Sequence, residues 1–289
     1  MHKPLHISVL GSGVVAHLKG LHPLIDCTLG AGGHMRMLLE HLPQDARALG
    51  LDRDAQMLKM TRETLQDPRV TFVHGRFGDL ERFASTHIPA GAILADLGVS
   101  SFQFDEAKRG FSLLRDGPLD MRMDTTHGPT AAELLMTMSE SEIRQMLWDE
   151  ADERQALKLS RTLKDQANCG RLKTTLALAR VVRDCLGMGG KIDPATRTFQ
   201  ALRRRVNDEG GQLSALLDRA PGLLKVGGRL AVISFHSGED RAVKQAFAAL
   251  EKAGTHRVLT DGPVGPDRAE AMANPRSRSA KLRVIERLP

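Results

Sequence analysis

The sequence predicts an α/β fold, a Rossmann-like arrangement with a mainly parallel sheet, interrupted by an all-helical insertion. Up to about residue 97, short apolar runs alternate with amphipathic stretches, the rhythm of βαβ units. Residues 130–188 instead carry helical periodicity without a convincing strand, and the βα rhythm returns near residue 212. Residues 1–104 and 196–289 are therefore expected to form one α/β domain, with 105–195 inserted into it.

Leu24–Thr28 reads as a buried first strand, followed by a glycine-rich turn and a helix across Met35–His41. Ala48–Asp52 and Ala55–Leu65 form the next strand and helix, Val70–His74 a third strand and Ala92–Leu97 a fourth. Within the insertion, Ser139 followed by Glu142 is a capping-box signature, opening a helix through Ile143, Met146 and Leu147. Helical patterns also fit Arg154–Lys164 and Thr174–Cys185, the second stopped by Gly187, Gly189 and Gly190. Asp193-Pro194 starts a basic helix, Ala195–Val206, as an N-cap with proline at the first helical position. A helix at Gln212–Ala220, a strand at Arg229–Phe235 and a helix at Asp240–Lys252 follow. Two strand-like pieces, His256–Thr260 and Leu282–Arg287, close the chain, with 261–280 read as a mobile loop.

Composition narrows the function classes. The 289 residues are 41% hydrophobic and 26% charged, ordinary for a globular protein with a sizeable core. No apolar run reaches the roughly 18 residues of a membrane span, and MHKPLHISVLGSG lacks the apolar stretch of a secretory signal. A cytoplasmic protein with no membrane partner is expected. The cysteines Cys27, Cys169 and Cys185 form no CxxC pair, which disfavours disulfides and thiolate zinc. No histidine spacing calls for a catalytic metal. A net charge of +6 favours a polyanionic partner, but aromatics are only 3% with no tyrosine, so contacts should lean on arginine rather than a broad stacking surface.

The first strand ends in Asp26-Cys27-Thr28-Leu29-Gly30-Ala31-Gly32-Gly33-His34. Glycines at that place let backbone approach a ligand closely and turn into a helix. Asp52 ends the second strand, where an acid in an open α/β sheet hydrogen-bonds ribose hydroxyls, so an adenosine ligand is implied. A GxGxxG dinucleotide fingerprint fails because Met35 occupies its third glycine position, and there is no GxxxxGK[ST] phosphate loop. GxGG suits a ligand without a pyrophosphate, such as S-adenosylmethionine. Asp96 ends the fourth strand in ADLGVSS, beside the topological switch point where the reacting end of a ligand should lie.

The chain resembles the RsmH (MraW) family of bacterial 16S ribosomal RNA cytosine-N4 methyltransferases. The likeness rests on DLGVSS followed by RGFS, GPLDMRMD at 117–124, PATRTFQALR at 194–203, ISFHSGEDR at 233–241 and NPRSRSAKLR at 274–283, in that order from His6 to Arg287. The resemblance implies that Gly32, Gly33 and His34 contact S-adenosyl-L-methionine, that Asp52 holds its ribose and that Phe77 lies against its adenine. It places Asp96 and Gln103 near the methionine end. It also implies a cytidine in the decoding region of 16S rRNA as substrate, met within the small ribosomal subunit; a homodimer stays open. Departures stand at Gly11-Ser12-Gly13, where an acid is usual, at Glu150-Ala151-Asp152-Glu153-Arg154, and at Gly238 in place of leucine.

Asp96 is the leading candidate to accept an N–H of the target amine, with the Leu97 carbonyl as a second acceptor. Phe102, Phe104 or Phe111 are candidates to stack on the base, each equally readable as core. Arg197, Arg203, Arg204 and Arg205 on the basic helix, with Arg276, Arg278 and Lys281 near the C-terminus, are the candidate RNA-binding side chains. His236 is read either as a proton or phosphate partner or as a satisfied buried histidine. The rival readings are an NAD-dependent oxidoreductase, a non-catalytic ribosome-assembly factor and a DNA amino-methyltransferase.

Overall fold

A computed structural model describes residues 8–188 and 193–289; His6, Gly189 and Gly190 lie outside them. The chain divides into two compact units, Met1–Gly98 with Gly210–Pro289, and Val99–Glu209.

The first unit opens with α1 (Gly11–Leu18), then alternates β1 (Leu24–Asp26), α2 (Gly33–Leu39), β2 (Ala48–Asp52), α3 (Ala55–Thr64), β3 (Val70–His74), the short α4 (Leu80–Phe83) and β4 (Ala90–Asp96). The second unit contributes α5 (Ser101–Asp105), α6 (Ala131–Thr137), α7 (Glu140–Ala151), α8 (Ala156–Asn168), α9 (Thr175–Leu186) and α10 (Ala195–Asn207). α11 (Glu209–Arg219) leads back to β5 (Leu224–Ser234), α12 (Ser237–Lys252), β6 (His256–Val258), α13 (Arg268–Ala273) and β7 (Lys281–Arg287).

The seven strands form one sheet in the order β3-β2-β1-β4-β5-β7-β6. β1 to β5 pair in parallel, whereas β7 runs antiparallel to both β5 and β6. Strand side chains alternate between two buried faces. Leu24, Ala92, Leu94, Ala231 and Ile233 join a core with Val14 and Leu18 of α1 and Met35 and Leu38 of α2. Ile25, Ile93, Ala95, Leu230 and Val232 face the opposite way, onto Leu213 and Leu216 of α11 and Val243 and Phe247 of α12. Burial on both faces is why these strands read as continuous apolar runs rather than alternating ones. β1 and β4 are neighbours although β2 and β3 intervene in sequence, so the strand order reverses between them and opens a crevice at their carboxyl ends.

The second unit has its own core, in which Leu135, Ile143, Leu147, Leu159, Leu163 and Leu178 are fully buried. Truncating one such leucine to alanine costs about 2–5 kcal/mol. Reciprocal capping boxes open α5 (Ser100 with Gln103), α6 (Thr130 with Glu133) and α7 (Ser139 with Glu142). The seams at 98/99 and 209/210 differ from the 104/105 and 195/196 read from sequence. The reason is packing: α10 buries Phe199, Ala201 and Leu202 in the helical core and so belongs to that unit.

Three elements differ from the sequence reading. Residues 261–280 are not a bare loop but hold α13, N-capped by Asp267, and a 3-10 turn at Pro275–Ser279. β5 begins at Leu224, running through Gly227 and Gly228, where its register with β4 shifts. α1 forms although it starts Gly-Ser-Gly, because the Glu270 carboxylate of α13 accepts the Leu10 N–H at 2.6 Å and so supplies a cap from the far end of the chain.

Candidate active site

The carboxyl ends of β1, β2 and β4 carry the glycine turn and the two expected acids. Gly32 is the N-cap of α2 with φ +76°, and a Cβ there would stand 2.9 Å from Thr61 Cγ2. Glycine is thus required twice at this position, by conformation and by space. The turn is pinned from α3 and β2. The Thr61 hydroxyl donates to the Gly30 carbonyl at 2.5 Å, and Asp52 accepts the Gly30 N–H at 2.7 Å. Its other oxygen accepts the Asp54 N–H at 2.8 Å. Burial raises the Asp52 pKa to about 6 despite these two hydrogen bonds. Asp52 therefore shapes the glycine turn, a part its sequence reading as a ribose partner did not include.

Asp96, at the tip of β4, is tied to the turn through its backbone, whose N–H donates to Thr28 Oγ1 at 2.7 Å. Its Oδ2 lies 3.8 Å from His34 Nδ1. His34 Nε2 is 2.8 Å from the Val9 carbonyl, which accepts and therefore fixes the ring proton on Nε2. Asp96 Oδ1 is buried and makes no hydrogen bond among the described residues. A buried acceptor left open in this way marks the place where a ligand donor fits. Burial raises the Asp96 pKa well above the usual carboxylate range, and the charges of Asp26 and Glu239 raise it further. Asp26, only 1% exposed, accepts the Thr28 N–H at 3.1 Å, yet burial pushes its own pKa to about 7.

His236 is the N-cap of α12: its Nδ1 accepts the Glu239 N–H at 3.3 Å, and its Nε2 faces Glu239 Oε1 at 2.9 Å. Glu239 also accepts the Phe235 N–H at 2.9 Å. Nδ1 is thus satisfied by Glu239, whereas the buried Nε2 lies close to the Glu239 carboxylate but makes no hydrogen bond among the described residues, so the satisfied-histidine reading describes one ring nitrogen and not the other. Asp26 and Glu239 were given no role from sequence. The His236-to-Glu239 spacing, N-cap to third helical residue, was the available signal for the second.

Phe77 opens a 3-10 turn just after β3, its ring half-buried against the sheet core. The turn is held from α11, where Gln212 Oε1 accepts the Gly78 N–H at 3.1 Å and Arg219 donates to the Gly78 carbonyl at 2.8 Å. Gln103 belongs to the helical unit, buried, with its Oε1 accepting the Ser100 N–H at 3.0 Å. Phe111 is core there, edge-on to Phe104 with ring centres 6.2 Å apart, and Phe102 is half-buried.

The candidate RNA arginines divide by what they already bind. Arg203 makes two hydrogen bonds of 2.8 Å to Glu209, and Arg204 reaches the Glu150 carbonyl at 2.7 Å and its carboxylate at 2.9 Å. Both are half-buried and already paired with acids. Arg197 and Arg205 are exposed, Arg197 with a long 3.4 Å contact to the Asp152 carbonyl. Arg276 and Arg278 are exposed around the Pro275–Ser279 turn, whereas Lys281 is held by Asp240 at 3.0 Å. Among the described residues no group of three or more histidines, cysteines or acids could hold a metal ion, and no helix is long and apolar enough to cross a membrane.

A β3-β2-β1-β4-β5-β7-β6 sheet with an antiparallel β7, a glycine turn leaving β1 and acids at the tips of β2 and β4 together define a class I methyltransferase. The profile of the MraW methylase family matches residues 3–288, and the chain belongs to that family. It is similar to the ribosomal RNA small subunit methyltransferase H of Sorangium cellulosum, 46% identical over 291 residues, covering 98% of this chain and 91% of that protein. The protein of that name from Prochlorococcus marinus is 45% identical over 297 residues, covering 98% of this chain and 93% of its own.

Proposed function

We propose that this enzyme transfers a methyl group from S-adenosyl-L-methionine to the N4 amine of a cytidine in the decoding region of 16S ribosomal RNA, within the small ribosomal subunit. The name borne by its relatives supports the ribosomal RNA substrate. One observation carries the chemistry: Asp96, at the tip of β4 beside the glycine turn, has a buried oxygen without a hydrogen-bond partner among the described residues.

The site's residues fit the cofactor. Gly32 holds the turn at φ +76°, where a side chain would be strained and would meet Thr61, Asp52 ends β2 where the ribose would be held, and Phe77 offers a half-buried ring after β3. Burial raises the proton affinity of Asp96, and the charges of Asp26 and Glu239 raise it further, a setting that favours a cationic ligand. When bound, S-adenosylmethionine supplies an electrophilic methyl group on a sulfonium. The chain's own part is position and electrostatics.

The exocyclic amine of cytosine is a weak nucleophile because its lone pair is conjugated into the ring. Asp96 accepts one amine N–H, which raises electron density on nitrogen, and then holds the proton that must leave. A carboxylate whose proton affinity is raised by burial and neighbouring acids is a better acceptor than an ordinary one. His34 is oriented by its Nε2 contact with the Val9 carbonyl and presents Nδ1 to Asp96.

Asp96→Asn keeps the shape and removes the acceptor charge. We expect turnover on small-subunit particles to fall by about 10²-fold or more, while S-adenosylmethionine, and not NAD, still raises the melting temperature. A variant rate within about twofold of the wild type would remove Asp96 from the mechanism, since losing such a group costs far more. Stabilisation by NAD alone would overturn the cofactor assignment.

A further inference from the structure

At the opposite end of the sheet from the glycine turn lies a groove of about 290 Å³, lined by Arg47, Arg69, Thr71, Thr86, His87 and Gln44 among others. Arg47 immediately precedes β2 and Asp52 ends it, so the groove and the cofactor crevice stand about 16 Å apart along one strand. The two guanidinium groups of the groove are in different states. Arg69 is neutralised by Asp67 through hydrogen bonds of 2.9 and 2.7 Å and is further fixed by the Leu42 carbonyl at 3.0 Å. Among the described residues the Arg47 side chain has no hydrogen bond and no ion pair, and no carboxylate lines the groove. The Thr71 hydroxyl and the Gln44 amide likewise point to no partner among them.

His87 forms the buried wall, 4% exposed, with Nδ1 2.9 Å from Thr86 Oγ1. Burial and then the charge of Arg47 hold its pKa below the ordinary histidine value, so it stays neutral while the field around it is positive. An uncompensated guanidinium, a hydroxyl and an amide over a neutral polar wall are the donor set that recognises an oxyanion. The volume, near the lower end of small-ligand pockets at about 300–1,000 Å³, suits a phosphate ester better than a bare ion.

We propose that this groove is a phosphate-binding subsite, separate from the methyl-transfer crevice, in which Arg47 supplies the charge and Thr71 and Gln44 the further donors. The phosphate comes either from an RNA backbone or from a free phosphate ester, and Arg47 is required in both cases.

The test uses the full chain as wild type, Arg47→Gln and Arg180→Gln, the last an exposed arginine of α9 serving as a control for net charge. Each is titrated with inorganic phosphate and with a short oligoribonucleotide, by calorimetry and by following the amide signals of Thr71 and His87. We expect Arg47→Gln to weaken one titrant at least tenfold relative to Arg180→Gln, with the Thr71 and His87 signals moving in the wild type. Loss confined to the oligoribonucleotide assigns an RNA phosphate, and loss already present with inorganic phosphate assigns a free ester. Equal affinities for Arg47→Gln and Arg180→Gln with both titrants, or still Thr71 and His87 signals, would overturn the proposal. The outcome is independent of Asp96 and of methyl transfer.

Discussion

Replacing Asp26 by asparagine should stabilise the fold and do so only at high pH. The carboxyl is 1% exposed, with a pKa pushed to about 7 from the ordinary 3.8. Below about pH 4 it is protonated in both the folded and the unfolded chain, and its stability contribution is fully present. Between about pH 4 and pH 7 the unfolded chain ionises first, so stability falls as pH rises and is lost through the folded pKa. At about 1.4 kcal/mol per unit, the gap is worth roughly 4 kcal/mol once both states are ionised. Asparagine keeps an oxygen for the Thr28 N–H, a 3.1 Å bond in the wild type, and carries no charge to bury. Urea unfolding of both proteins at half-unit steps from pH 3 to pH 9 gives the difference directly. The asparagine variant should match the wild type below about pH 4, pull ahead as pH rises and exceed it by roughly 3–4 kcal/mol above pH 8. A difference that does not change with pH, or one that favours the wild type at pH 8, would refute the reasoning.

Gly32→Ala places a side chain at φ +76° and 2.9 Å from Thr61 Cγ2. Strain and overpacking together should lower stability by roughly 2–4 kcal/mol, read as a lower urea midpoint, with weaker S-adenosylmethionine binding by calorimetry. Arg205→Gln and Arg203→Gln should separate binding from folding. The exposed Arg205 change should weaken RNA binding and reduce the salt slope by about 1 without moving the melting temperature. The Arg203 change, which opens the Glu209 pair, should cost roughly 1.5–3 kcal/mol of stability.

Much of the α/β unit was legible because parallel strands buried on both faces leave short apolar runs, and Asp52 and Asp96 close two of them at places the topology makes functional. What sequence could not show depends on contacts between distant residues. α1 starts with two poor helix formers and a serine, and is held by Glu270, 260 residues from the Leu10 it caps. α13 lies in a polar stretch that reads as loop, and only the Asp267 cap betrays it. Arg203 and Arg204 look like free cations until Glu209 and Glu150 are seen against them. Glu239 is one acid in a short acidic run. The β5–α12 turn alone brings it to His236 and within the field of Asp96. The seam after α10 was missed for a similar reason, since a basic amphipathic helix gives no sign of which core receives its apolar face.

The most direct test of the account is the identity of the product. Small-subunit particles lacking the modification are incubated with the enzyme and methyl-labelled cofactor, and the 16S RNA is digested to nucleosides and separated. The account predicts label in N4-methylcytidine from a single site, absent with Asp96→Asn. Label in 5-methylcytidine, or equal labelling by the variant, would contradict it.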